Sequence, residues 1–290
     1  MTLSKPESDR VQPFVTTGTS SWRESVEDEY DLLADFLEDV AATETIQSAI
    51  RRSVDLMRLS PGARVLDIGC GTGVLFPPLA AAIGAEGRIV GLDHGPGFLA
   101  NARKRSIDLG FSERLSLVRA DAHDLPFDDC IFDAAHTERV LMHLTDPNRA
   151  LREMLRVVKP SGWIVCVEPD LVGMRVDHLN PDHAALVVAG FCASIQNPAM
   201  GLELNRRFAD AGLVDRRIDV LTEVERDFPE DVAEFFTRAA STSVERGWLT
   251  QPEADRAVAA MQDAGDAGRY TSYSSMFIVA GRVAEKFASQ

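Results

Sequence analysis

Val65-Leu66-Asp67-Ile68-Gly69-Cys70-Gly71-Thr72-Gly73 is the stretch whose reading decides the fold. An apolar run breaks into alternating glycines, and a helical pattern through Ala82 follows. A strand that enters such a turn at the start of a helix lets a ligand meet bare backbone, because no Cβ stands in the way. Outward from it, β-branched runs at Arg88–Leu92, Leu115–Arg119, Ile131–Ala135 and Trp163–Glu168 alternate with helical patterns at Gly97–Leu109 and Asn148–Val158. That alternation predicts βαβ units, hence a doubly wound, mostly parallel sheet with helices on both faces. Beyond Pro169 the pattern loosens. Helices are expected at 182–195, 201–211, 230–246 and 251–264, a strand at Arg217–Val224, and an antiparallel last strand at Tyr273–Arg282. Upstream, Leu32, Leu33, Phe36, Leu37 and Val40, then Ile46, Ile50, Val54 and Met57, recur at helical spacing and predict two amphipathic helices.

The expected organisation is a tail at 1–21 and a single domain at 22–290. Within that domain, 22–58 supplies the N-terminal helices, 59–170 the core, and 171–290 a helical lid with the last strands. With 45% hydrophobic and 26% charged residues, the chain has the composition of a globular protein. No apolar run is long enough to cross a bilayer, and Met1–Arg10 has no apolar leader, so a cytoplasmic enzyme is the expectation. Cys70, Cys130, Cys166 and Cys192 form no CxxC pair, so they suggest neither a metal site nor a disulfide framework. The net charge of −15 argues against a nucleic-acid partner, since phosphate backbones are bound through basic patches. Arg51–Arg52, the 103–105 stretch and Arg216–Arg217 are the local exceptions.

Two cofactor classes use a glycine turn of this kind. A dinucleotide site wants GxGxxG, whose third glycine would fall at Val74, whereas this chain reads GxGxG. Asp67 beside the turn would repel a pyrophosphate but suits the ammonium and sulfonium of S-adenosylmethionine (SAM). SAM is therefore the predicted cofactor.

The segment Val65–Gly73 resembles motif I of the class I SAM-dependent methyltransferases. The chain from about 60 to 170 resembles their small-molecule subgroup, related to the ubiquinone and menaquinone C-methyltransferases, with a Rossmann-like core. Further elements follow in the family's order. The resemblance implies that Asp93, closing Gly91-Leu92-Asp93, holds both ribose hydroxyls. It implies that Asp121 and Ala122 meet the adenine, and that Phe132-Asp133 to Leu144 is the fourth strand and the segment after it. Leu151–Pro160 and Gly162 match the closing helix, turn and fifth strand. Asp67, Gly69, Cys70, Gly71, Gly73, His94 and Thr137 complete the implied cofactor set. Pro77 and Pro78, early in the helix after the glycines, depart from the pattern, and a second proline is expected to distort the helix start. Ser161 replaces a glycine of the family's turn.

His136 and His143 flank the segment after the fourth strand. His143 and Glu138 are the candidate catalytic residues, His143 as a general base. Asp121 has an alternative reading as the acid of an Asx turn, and Asp67 one as an anchor for loop N–H groups. His178 and His183 have no further metal ligands near them in sequence. Phe191, Met200, Phe208, Phe235, Phe236 and Trp248 either pack helices on the sheet or line a substrate chamber. The predicted reaction is methyl transfer to a small, partly apolar molecule through O, N or C. The alternatives are a SAM-retaining enzyme of another type, such as a cyclase or decarboxylase, or a SAM-binding interaction module. Homo-oligomerisation is left open.

Overall fold

The computed structural model describes Glu38 and residues 40–285. The expected tail at 1–21 and the part of the expected N-terminal helices at 22–37 lie outside them. Helix α1 (Glu44–Leu56) begins where the Thr43 hydroxyl accepts from the Ile46 N–H, satisfying one of the donors every helix start leaves open. Seven strands form one sheet: β1 (Arg64–Ile68), β2 (Arg88–Asp93), β3 (Leu115–Arg119), β4 (Phe132–Glu138), β5 (Val158–Val176), β6 (Val214–Glu225) and β7 (Ser272–Arg282). Their order is β3-β2-β1-β4-β5-β7-β6. β1 to β5 pair in parallel, while β7 runs antiparallel to both β5 and β6.

From β1 the chain steps outward through α2 (Phe76–Ile83) to β2, then through α3 (Pro96–Asp108) to β3, and returns to lay β4 on the other side of β1. The strand order therefore reverses between β1 and β4, and the carboxyl ends of these two strands open a crevice. β1 is buried over Val65–Ile68, as expected of a parallel strand covered on both faces. Val65 packs with Phe76, Leu79, Ile89 and Ile278 on the face of α1 and α2. Leu66 packs on the opposite face, because successive side chains of a strand alternate. Its neighbours there come partly from α4 (Pro147–Val157), as Met154, and from α6 (Met200–Asp210), as Leu204 and Phe208. α5 (Pro181–Cys192), α7 (Glu230–Glu245) and α8 (Gln251–Asp266) form a cap with a third apolar cluster around Val187, Phe236, Met261 and Tyr270.

Two expectations need correction. Helix α2 starts at Phe76, so Pro77 and Pro78 both fall in its first turn, where the missing N–H groups would have had no helical partner. No distortion is needed. β5 does not stop at Glu168 but continues to Val176, pairing with β7 over Trp163–Asp170 and again at Arg175 and Val176 beyond an irregularity. Ser161 takes φ +64, the left-handed conformation that a glycine adopts at no steric cost. No helix among the described residues is long and apolar enough to cross a membrane.

Candidate cofactor site

The glycine loop leaves β1 with three left-handed residues, Gly69 at φ +68, Gly71 at +50 and Gly73 at +77. Their surroundings differ. A Cβ on Gly69 would lie 2.2 Å from Val140 Cγ2, and one on Gly73 2.6 Å from the Phe76 ring, so these two glycines allow close packing. A Cβ on Gly71 would meet nothing within 4 Å. Gly71 therefore presents open backbone at the switch point.

The Asp93 carboxylate, buried at the end of β2, fixes that backbone. Its Oδ2 accepts from the Gly71 N–H at 2.9 Å and its Oδ1 from the Gly95 N–H at 2.8 Å. A carboxylate offers about four acceptor positions, so capacity remains for ligand hydroxyls. His94 is exposed, with its Nδ1 3.4 Å from Asp93 Oδ1. Cys70 is buried, and its thiol is pushed well above the ordinary range by burial and then by Asp67 and Asp93. It is a packing residue that senses two nearby acids.

Among the described residues Asp67 accepts no loop N–H group, the anchoring role one reading expected. It faces His136 across the β1–β4 pairing, Oδ1 to ring Nδ1 at 2.9 Å, and both side chains are buried. That contact makes His136 a structural partner of Asp67. Asp121 accepts from the backbone N–H of His123 at 2.9 Å and meets its ring Nδ1 at 2.7 Å. This is the Asx geometry of the alternative reading, with Ala122 buried beside it. Thr137 is buried in register with Ile68, and its hydroxyl lacks a partner among the described residues.

After Thr137 the chain turns sharply. Arg139 sits at φ +53, its N–H bonded to the Val167 carbonyl at 2.8 Å and its guanidinium 3.3 Å from Glu138. A left-handed non-glycine residue at a strand end costs of order 1–3 kcal/mol and persists only where its surroundings fix it. Glu168 does so for the residues that follow. Fully buried on β5, it accepts the N–H groups of Val140 at 3.0 Å, Leu141 at 2.7 Å and Met142 at 3.3 Å. Burial pushes its carboxyl up to about 8, the three N–H groups pull it down, and Glu138 adds to the rise. Those bonds set the short turn Leu141–His143. His143 is exposed. The protein mass around it, then Arg139 and His94, push it down to about 4. It is neutral at pH 7 and a weak base.

Two contacts had no signal in the sequence. Glu38 accepts from both the Thr72 hydroxyl and the Arg105 guanidinium, while Arg105 Nε donates to the Thr72 carbonyl at 3.0 Å. The chain N-terminal to α1 is thereby tied to the glycine loop. Glu168 was equally silent, since an acid at a strand end gives no hint that a distant turn folds onto it.

An open glycine backbone held by a buried acid, with a second buried acid beside it and an unpartnered hydroxyl at the next strand end, fits a cationic ligand bearing a vicinal diol. Residues 66–166 match the family described as a methyltransferase domain. The chain is similar to that family over those residues. A demethylmenaquinone methyltransferase of Bacillus cytotoxicus is 32% identical over 155 residues, covering 52% of this chain and 63% of that protein. A crystal structure of a methyltransferase candidate from Bacillus halodurans aligns with TM-score 0.60 at 17% identity, over 82% of this chain and all but 1% of that one. That of the 4+2 cyclase SpnF aligns with TM-score 0.51 at 25% identity, over 89% and 95%. The chain spans between 55% and 65% of the length of the curated relatives it matches first. Around residues 66–166, the large side chains of the C-terminal half divide by role. Met200 and Phe208 belong to the sheet core, Phe236 to the cap core, Phe191 and Phe235 touch edge to face at 4.5 Å, and Trp248 is exposed.

Proposed function

We propose that this chain transfers the methyl group of SAM to a small, partly apolar acceptor. The observation that carries the proposal is Gly71, whose open backbone at φ +50 is held by Asp93 at 2.9 Å. The two acids fit the charge of SAM: Asp93 has spare acceptor positions for the ribose hydroxyls, and Asp67 lends negative charge near the cationic methionine end. When bound, SAM would supply an electrophilic methyl on a sulfonium, which the acceptor takes by in-line attack as S-adenosylhomocysteine leaves. No covalent enzyme intermediate is required.

The work left to the protein is positioning and exclusion of water. Asp121, Ala122 and His94 are assigned to the adenine end, and Thr137, Glu138 and His143 to the reacting end. His143, with a pKa of about 4, does little to activate a hydroxyl, because base strength falls with pKa. Its part in this reading is to shape the acceptor site beside the Glu138–Arg139 pair. The acceptor chamber is assigned to the space between the Thr137–His143 segment and the cap. The acidic balance of −15 supports a small molecule over nucleic acid.

A second reading, cyclisation with the cofactor retained, is favoured by the likeness to the 4+2 cyclase and by the weak base at His143. Calorimetry with SAM and with S-adenosylhomocysteine tests the cofactor. A panel of candidate acceptors read by mass spectrometry separates the two reactions: a methyl gain supports transfer, and an isomerised product of unchanged mass supports cyclisation. A folded protein that binds neither cofactor form overturns both.

A further inference from the structure

At one margin of the sheet, β6 pairs with β7 and, among the described residues, with no other strand. It is 12 residues long, and such a margin presents a row of backbone donors and acceptors to solvent that native proteins normally blunt or cover. It also carries an apolar stripe. Ile218, Val220 and Val224 alternate along one face and are 47%, 47% and 50% exposed; Tyr273, opposite Val224 on β7, is 43% exposed. Isolated apolar residues on a surface need no account, but four on one sheet face beside an open edge do.

The charges of the strand are ordered by sign along its length. Arg216 and Arg217 occupy the first half, Glu223 and Glu225 the second. We propose that β6 pairs antiparallel with β6 of a second copy of this chain, about a two-fold axis through Val220. In that register Arg217 lies opposite the copy's residue 223, a glutamate, and Ile218 opposite its threonine at 222. Val220 meets its own counterpart, and Asp219 faces a leucine. A two-fold axis perpendicular to the sheet requires opposed residues to share a face, so the register moves only in steps of two. A step one way sets Asp219, itself paired to Arg52 at 3.0 Å, against its own counterpart, and a step the other way sets it against Glu223. Axes through Ile218 or Thr222 also avoid like charges over 216–224, but they pair only 214–222 or 219–225, whereas the Val220 axis pairs 215–225 and keeps Arg217 against a glutamate. Asp215, opposite a glutamate just beyond, is already paired to Arg282 at 2.6 Å. A parallel partner would set arginine beside arginine.

The test is the mass of the full chain in solution, by light scattering and sedimentation over a concentration series. The wild type is expected to be a dimer at micromolar concentration. Val220→Lys puts two like charges on the axis and should raise the dimer dissociation constant by about a hundredfold or more, with the melting temperature of the monomer kept. Arg217→Glu should do the same, and combining it with Glu223→Arg should restore the dimer. A wild type that stays monomeric to about 100 μM, a range that covers ordinary weak association, overturns the proposal. So does a dimer that survives both single variants. A chain that is monomeric when whole but dimeric once residues 1–37 are removed would show that its own N-terminal segment covers β6, and would overturn it too.

Discussion

The cradle at the carboxyl ends of β1, β2 and β4 and the cap of α5, α7 and α8 are held together by opposite means. In the cradle the fixing contacts are polar and few: Asp93 to two loop N–H groups, Asp67 to His136, Glu168 to three N–H groups of one turn. In the cap they are apolar and many, with Phe228, Phe236 and Tyr270 in mutual ring contact and Ala239 pressed under Gly190. The difference teaches where tolerance to change lies. Apolar packing accepts volume-conserving substitutions, whereas a buried carboxylate with several donors has no substitute of equal chemistry.

The comparison breaks most visibly at Phe236. Phe236→Ala should cost about 3–5 kcal/mol of stability by opening a cavity in the cap, measured by urea unfolding, while the SAM affinity of the folded protein stays within a factor of two or so. A parallel loss of affinity would mean that cap and cradle are one unit.

Within the cradle the glycines separate packing from binding. Gly69→Ala should cost about 2–4 kcal/mol, because the new Cβ meets Val140 and the backbone is left-handed. Gly71→Ala has open space and should cost only about 1 kcal/mol for its positive φ, yet abolish calorimetric SAM binding. Gly71→Val is a poor test, since a β-branched residue at φ +50 is strained regardless of ligand. Tight binding by Gly71→Ala would move the cofactor elsewhere.

Asp93→Ala should weaken SAM by about 1.5–3 kcal/mol, the value of hydrogen bonds to a charged group. It should also lower the melting temperature of the ligand-free protein, because the Gly71 and Gly95 N–H groups lose their acceptor. Unchanged affinity in the folded variant would remove Asp93 from the site.

Glu168 adds a pH dependence that the cap lacks. Between about 4.5 and about 8 the folded protein keeps a proton on this carboxyl that the unfolded chain has released. Stability attributable to Glu168 is therefore complete at the acid end of that window and falls as pH rises, by at most about 1.4 kcal/mol per unit. Unfolding midpoints of Glu168→Gln across pH 5–8 should fall less steeply than those of the wild type, and identical slopes would show Glu168 ionised throughout. The smallest effect is expected at His143. With a pKa of about 4, His143→Ala should reduce kcat less than about tenfold, and a loss of about 10²–10⁴ would restore it as a general base.

The alternation of β-branched runs and helical patterns marked the strands and the parallel half of the sheet, because those periods follow from backbone geometry alone, while the antiparallel direction of β7 is settled by its pairing with β5 and β6. The GxGxG spacing and Asp93 likewise marked the cradle, since a short turn and the strand beside it are local in sequence. The tertiary structure alone decided which acid does what. Asp67 and His136 meet across the β1–β4 pairing, 69 positions apart in the chain. Glu168 meets its turn from 26 to 28 positions away, and Glu38 reaches Arg105 across 67. Hydrogen bonds of that range depend on which strand ends the topology brings together, and a sequence carries no period for them. The same reason divides Met200 and Phe208, which fill the sheet core, from Phe236 in the cap: all three are large apolar residues on amphipathic helices, and only the packing assigns each helix to its layer.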